Sequence, residues 1–242
     1  MGSGAIYSSV PELKLTQRSS PNCGPRRDDA KPDIVVIHYT AMASAKAAAD
    51  TLCNPATEVS AHYLIAEDGE VLSFVPEAQR AWHAGAGRWG RVTDVNSHSI
   101  GIELSNTGFA PFAAPQMDAL TQLLNGITLS WAIRPERVIG HSDMAPGRKI
   151  DPGPRFDWRR LAIAGFSVWP EVKDLTKDIT AARFAAMMAA FGYTATDDPE
   201  LLLATFRLRF RPRHDGPLDA IDLAMITDLA TRFPVDVNEA WA

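Results

Sequence analysis

His38 ends the apolar run Asp33-Ile34-Val35-Val36-Ile37, and His141 follows Val138-Ile139-Gly140. Short continuous apolar runs read as strands buried on both faces, so both imidazoles are expected at carboxyl ends of strands, where open α/β sheets present their ligands. Asp151 lies ten residues after His141, in Lys149-Ile150-Asp151-Pro152-Gly153-Pro154. A lone histidine in such a place is ordinarily a core residue with its hydrogen bonds met. If the sheet brings the three groups together, however, two imidazoles and a carboxylate supply three ligands and leave a fourth position open. That is the pattern of a catalytic zinc site rather than a closed structural one. No H-E-x-x-H helix signature is present, so the spacing alone does not decide between these readings. Glu103, in Ser99-Ile100-Gly101-Ile102-Glu103-Leu104, adds a carboxylate to an apolar strand, where it must be paired or put to use.

Several elements must position these groups. The run ending at His38 and Tyr39 is expected as the central strand. Ser44 to Cys53 is Ala-rich with Ser44 as N-cap, and Asn54-Pro55 ends it, which predicts a helix. Residues 61–66 and 71–75 flank Glu67-Asp68-Gly69-Glu70 and predict a hairpin, because Asp-Gly supplies the positive φ of a tight turn. The helix expected from Pro115 to Trp131 carries Met117, Leu120, Leu123, Leu124, Ile127 and Trp131 at helical spacing. Strands alternating with helices give an α/β class with a mixed sheet. Residues 1–32, rich in Ser, Pro, Arg and Asp, read as an arm over a catalytic domain at 33–168. After the linker at Trp169-Pro170-Glu171, a small three-helix domain is expected over 169–242, with helices near 179–191, 199–210 and 218–232.

The phrases Ile37-His38-Tyr39-Thr40, Ser60-Ala61-His62-Tyr63, Trp82-His83-Ala84-Gly85, Ser99-Ile100-Gly101-Ile102-Glu103-Leu104, Gly140-His141-Ser142-Asp143 and Arg148-Lys149-Ile150-Asp151-Pro152-Gly153 occur in that order. They resemble the zinc-dependent N-acetylmuramoyl-L-alanine amidases of the AmpD and AmiD branch, related in fold to bacteriophage T7 lysozyme and peptidoglycan recognition proteins. The resemblance covers roughly Pro21 to Leu161. Phe191-Gly192-Tyr193 and the Phe206 to Pro212 stretch are similar, more loosely, to the small peptidoglycan-binding module of the AmiD type.

The resemblance implies zinc held by His38, His141 and Asp151, with Glu103 and Lys149 catalytic. Glu103 would take a proton from water and return it to the leaving amine, and Lys149 would stabilise the oxyanion. The implied bond is the amide between the lactyl group of N-acetylmuramic acid and L-alanine. Tyr39, Thr40, Trp82, His83 and Asn106 are the implied substrate contacts. The phage enzymes carry tyrosine directly before the histidine where this chain has Ala61-His62, so Glu103 must carry proton transfer here.

Plainer readings stand beside these. Glu103 could pair with an arginine, Lys149 could be a solvated loop charge, and Trp82 could be core. Asp143 either orients His141 or caps a turn. His62 is expected to be structural, and His98 and His214 carry no function. Arg207, Arg209, Arg211 and Arg213 read as a solvated surface, since Arg207 and Arg211 alone share a helical face. Met187 and Met188 read as core.

Composition bounds the rest. The chain has 242 residues, 46% hydrophobic and 22% charged, which is ordinary for a globular protein with a substantial core. A net charge of −5 gives no footprint for a nucleic-acid backbone. No apolar run approaches the ~18 residues of a membrane span. Met1-Gly2-Ser3-Gly4-Ala5 shows no export signal, so the cytoplasm is expected; if that start is a cloning scar replacing a leader, the periplasm or outer membrane fits instead. Cys23 and Cys53 form no disulfide framework and read as two thiols, with a single bridge as the alternative. A monomer acting on peptidoglycan or muropeptides is expected. The rivals are a peptidoglycan-binding module without catalysis and a zinc hydrolase of another amide.

Overall fold

The computed structural model describes residue 13, residues 15–173, residue 175 and residues 177–236. Met1 to Ala5, read above for a leader, lies outside the described residues. Eight strands are present among the described residues: β1 Leu15–Gln17, β2 Cys23–Pro25, β3 Ile34–Tyr39, β4 Tyr63–Ile65, β5 Val71–Ser73, β6 Gln79–Ala81, β7 Ser99–Leu104 and β8 Val138–Gly140. Six of them form one mixed sheet in the order β1-β5-β4-β7-β3-β8, and β2 pairs with β6 antiparallel in a small second sheet. In the large sheet β4 and β5 are antiparallel, as the Asp68-Gly69 turn requires, while β4, β7, β3 and β8 run parallel. β3 is an interior strand flanked by β7 and the edge strand β8.

Side-chain alternation assigns the two faces of this sheet. Val35 and Ile37 of β3 and Ile100, Ile102 and Leu104 of β7 meet Met117, Leu120, Leu123, Leu124 and Ile127 of helix α3 (Ala114–Trp131). Helices α1 (Ala45–Leu52), capped by the Ser44 side chain, and α2 (Val95–His98) precede α3, and α4 (His141–Met144) and α5 (Trp158–Ile163) follow it. Ile34 and Val36 of β3 point to the other face. There they join Phe184, Met188, Phe191, Phe206, Leu223 and Ile226 from α6 (Ala181–Phe191), α7 (Pro199–Phe210) and α8 (Ala220–Arg232). Each such fully buried side chain contributes about 1.5–3 kcal/mol. Helices thus cover both faces of the sheet, and the three C-terminal helices share one continuous core with it.

Two expectations change. The N-terminal arm contributes structure: β1 adds a parallel edge strand beside β5, and β2 closes against β6. Polar, three-residue strands carry no alternation long enough to read, and they exist because a neighbour offers free backbone groups. The arginine run is also no solvated surface. Arg207 donates to Asp222, Arg209 to Asp143, and Arg211 to Asp219 and Asp222, which leaves Arg213 exposed. Carboxylates distant in sequence draw the guanidinium groups inward, because a buried charge must be paired.

Met188 is fully buried in the shared core with Met187 packed against it. Cys23 and Cys53 are free thiols. Among the described residues no helix is long and apolar enough to cross a membrane.

Candidate metal centre

Three adjacent parallel strands end on the same side of the sheet, and each delivers a functional group. His38 is the penultimate residue of β3, and its Cα partner in β7 is Glu103. His141 directly follows β8 and opens the single turn of α4. Gly140 lets this happen: a Cβ there would lie 2.8 Å from Pro152 Cδ, so the strand end and the loop carrying Asp151 pack backbone to ring. Ser142 N donates to the Asp151 carbonyl at 2.9 Å, tying that loop to the turn after His141.

The three predicted ligands meet. His38 Nδ1 lies 3.0 Å from His141 Nδ1, and Asp151 Oδ2 lies 2.9 Å from the first and 3.0 Å from the second. All three residues are buried. Ligands of a four-coordinate zinc stand about 3.3 Å apart when each bond is about 2.0–2.1 Å, so a triangle of this size suits a small divalent ion. The donor chemistry agrees. His141 Nε2 faces the Ala84 carbonyl at 2.8 Å, and a carbonyl only accepts, so the ring hydrogen is on Nε2 and Nδ1 turns a lone pair toward the cluster. Burial and the neighbouring His141 push the His38 imidazole down to about 4, so it is neutral and able to ligate at pH 7. Two imidazole nitrogens and one carboxylate oxygen converging on a point form a cation site. His214, Asp219 and Asp222 also cluster, but Arg211 and Arg207 already neutralise those carboxylates.

Around the cluster lies a cavity of about 550 Å³. Tyr39, Thr40, Trp82, His83, Glu103 and Lys149 line it together with the three candidate ligands. Glu103 Oε2 is buried with no hydrogen-bond partner, and burial reinforced by Asp151 raises its carboxyl to about 8, with Lys149 opposing. Among the described residues no arginine pairs with it. Lys149 is exposed at the cavity wall, and its ammonium forms no ion pair among the described residues. Half-buried Trp82 lines the cavity. His83 sits behind His38, with its Nδ1 3.0 Å from His38 Nε2.

Asn106 does not reach the cavity. Its amide nitrogen faces the Ala110 and Pro111 carbonyls, and its oxygen accepts from Gly108 N at 2.7 Å, so the side chain is spent on shaping its own loop. A side-chain amide next to a turn is drawn into such local bonds. Asp143 is a cap: Oδ2 accepts from Gly140 N at 2.8 Å, and it makes no contact with the His141 ring. His62 is structural, since Nδ1 accepts from Gly101 N and Nε2 faces the Gln79 carbonyl. Sequence reading missed Arg148, which donates to the Ala84 and Ala86 carbonyls and braces the loop that also holds His141. The adjacent Arg148-Lys149 pair was the available signal. It missed Asn96 as well, whose Oδ1 accepts from the backbone of His83 at 3.0 Å and Ala84 at 2.8 Å.

Gly101 faces this assembly from β7, where a Cβ would lie 2.5 Å from the His83 ring. Gly101→Ala is therefore expected to destabilise the protein by about 1–3 kcal/mol through overpacking. A urea melt showing no change would mean that the ring moves freely.

Comparison with known proteins gives a consistent result. Residues 28–154 match the family described as N-acetylmuramoyl-L-alanine amidase. The N-acetylmuramoyl-L-alanine amidase AmiD of Escherichia coli strain K12 is 34% identical over 234 residues, covering 84% of each protein. Its solved complex with the substrate anhydro-N-acetylmuramic acid-L-Ala-D-gamma-Glu-L-Lys superposes with a TM-score of 0.77 at 33% identity, covering 90% of this chain and 94% of that one. AmpDh3 from Pseudomonas aeruginosa, solved with anhydromuramic pentapeptide, gives a TM-score of 0.72 at 31% identity over 95% of this chain and 98% of its own. The 1,6-anhydro-N-acetylmuramyl-L-alanine amidase AmpD of Salmonella typhimurium strain SL1344 is 34% identical over 159 residues, 59% of this chain and 85% of its own length.

Proposed function

The chain belongs to the N-acetylmuramoyl-L-alanine amidase family, and from that premise we propose that it hydrolyses the amide between the lactyl group of N-acetylmuramic acid and L-alanine in peptidoglycan or its soluble fragments. The observation that carries this reading is the convergence of His38, His141 and Asp151 in the same cavity as Glu103, whose Oε2 is buried without a hydrogen-bond partner. Zinc is the ion we assign to the cluster, and when bound it supplies a Lewis acid for the scissile carbonyl and the attacking water.

The protein groups divide the remaining work. Water adds to the amide carbon, and Glu103 takes up the proton it loses. A carboxyl whose burial gives it high proton affinity can then pass that proton to the alanine nitrogen as the carbon–nitrogen bond breaks. The products are a lactyl carboxylate and a free stem-peptide amine. Lys149, an unpaired ammonium at the cavity wall, offsets the charge that develops on the carbonyl oxygen. Tyr39, Thr40 and Trp82 line the same cavity and are our assigned substrate contacts, Trp82 offering a ring face to a sugar. We assign a monomer as the working unit. A second groove of about 710 Å³, lined by Phe184, Leu203 and Pro217 among others, lies on the C-terminal helices, the part we assign to holding the polymer.

The direct test is mass spectrometry of anhydro-muropeptides incubated with purified protein. Free stem peptide is expected with zinc, none after chelation, and recovery on adding zinc back. If no stem peptide appears with zinc supplied, the chain binds without cleaving. Comparable turnover of simple N-acyl amino acids would instead make it a hydrolase of another amide.

A further inference from the structure

We propose that His83 is a positioning residue of the metal cluster: it accepts the Nε2 hydrogen of His38 and so keeps the His38 Nδ1 lone pair bare and aimed at the ion. The proposal rests on the metal reading above and adds to it the device that fixes the ligand's tautomer.

A short chain of contacts fixes where each ring hydrogen lies. The Val95 carbonyl can only accept, and it stands 2.5 Å from Ser99 Oγ, so the single hydroxyl hydrogen lies between those oxygens. Ser99 Oγ then offers only lone pairs to His83 Nε2, 3.2 Å away, and Nε2 must carry the ring hydrogen. The half-buried His83 ring touches no carboxylate among the described residues, so nothing there favours a second ring hydrogen. Its Nδ1 is therefore an acceptor, and it lies 3.0 Å from His38 Nε2. The hydrogen of His38 goes to that contact, and Nδ1 is left free to face His141 and Asp151. Histidine ligands commonly give their second N–H to an outer acceptor in this way, which sets ring orientation and ligand basicity.

Two further observations show that the arrangement is built. Ala84, the next residue, presents its carbonyl to His141 Nε2 at 2.8 Å, so one two-residue segment receives the outer hydrogens of both imidazoles. Asn96 pins that segment by accepting from both of its backbone N–H groups, and Gly101 leaves the space that the His83 ring fills. Both nitrogens of His83 are committed to protein partners, so it has none to offer a substrate.

The test compares His83→Phe, His83→Gln and Ser99→Ala with the full-length parent protein. The readouts are zinc dissociation constants from competition with a chelating dye, the visible absorption of the cobalt(II)-loaded proteins, KM for an anhydro-muropeptide, and melting of the metal-free proteins. His83→Phe should weaken zinc binding about 10–100-fold and shift the cobalt bands. His83→Gln, whose side-chain oxygen can accept from His38, should recover most of both. Ser99→Ala, which releases the His83 tautomer, should lose several-fold. Unchanged zinc affinity and cobalt bands in His83→Phe would overturn the proposal, as would a rise in KM with zinc affinity untouched, which would mark His83 as a substrate contact. Should His83→Phe fail to fold, wild-type affinity in Ser99→Ala overturns it in the same way. A parent protein that binds no zinc would sink the metal reading itself, whereas tight binding in parent and His83→Phe alike would sink only this inference.

Discussion

Glu103→Gln is expected to keep its metal and lose about 10²–10⁴-fold in kcat, the range that a positioned acid–base group contributes. Glutamine fills the same volume but cannot take a proton from water or carry one to the leaving nitrogen. The three converging donors belong to His38, His141 and Asp151, so metal content should match that of the parent protein. Nor should the fold suffer, because Glu103 Oε2 has no hydrogen-bond partner to lose. Stem-peptide release, metal analysis and a urea melt on one preparation check all three statements. A variant that turns over at the parental rate would remove Glu103 from the mechanism and return it to the status of a buried oddity.

The same substitution changes how stability depends on pH. In the metal-free protein burial holds the Glu103 carboxyl protonated up to about pH 8, while the unfolded chain releases that proton near its ordinary value of 4.5. Between those two values the native state binds more protons than the unfolded state, so the stability contributed by this group falls as pH rises and levels off above the upper limit. Glu103→Gln removes that slope. Its metal-free form should therefore gain on the parent from pH 5 to pH 9, and parallel urea midpoints across that range would contradict the burial of the charge.

How much of this could be read from the chain follows from the range of each interaction. His38 and His141 were legible because each ends an apolar run, and a strand's end is a local property of sequence. Glu103 was conspicuous as a charge in such a run, and strand register then put it opposite His38. Helices α1, α3, α6, α7 and α8 declared themselves through caps and helical spacing. Tertiary pairing was not legible. Arg207 and Arg209 look like surface until Asp222 and Asp143 are brought to them from 15 and 66 residues away. Asn106 looks like a groove residue until its own loop takes the amide. The place of His83 behind a ligand depends on Ser99, Gly101 and Asn96, which no spacing rule connects.

Arg209→Met is expected to cost about 3–5 kcal/mol, the penalty for removing one partner of a buried ion pair. Arg209 Nη1 lies 2.6 Å from Asp143 Oδ2, and both side chains are 1% exposed. The same guanidinium donates to the Val138 carbonyl and Ser167 and lies 4.0 Å from the centre of the Trp158 ring. Without it, Asp143 keeps the Tyr193 hydroxyl and Gly140 N, two hydrogen bonds but no positive charge. For a chain of this length each kcal/mol moves the melting temperature by about 2–4 °C, so a fall on the order of 10 °C should be seen. Adding Asp143→Asn should recover much of the loss, because it removes the stranded charge, whereas Tyr193→Phe alone should cost only about 1 kcal/mol, the net worth of a hydrogen bond. The position of the pair explains why it matters beyond stability: Asp143 caps the turn that begins with His141, and Arg209 belongs to α7, so this contact joins the C-terminal helices to the strand end that presents a candidate ligand. Melting of Arg209→Met within about 2 °C of the parent would show that the two parts of the chain are held by apolar packing alone.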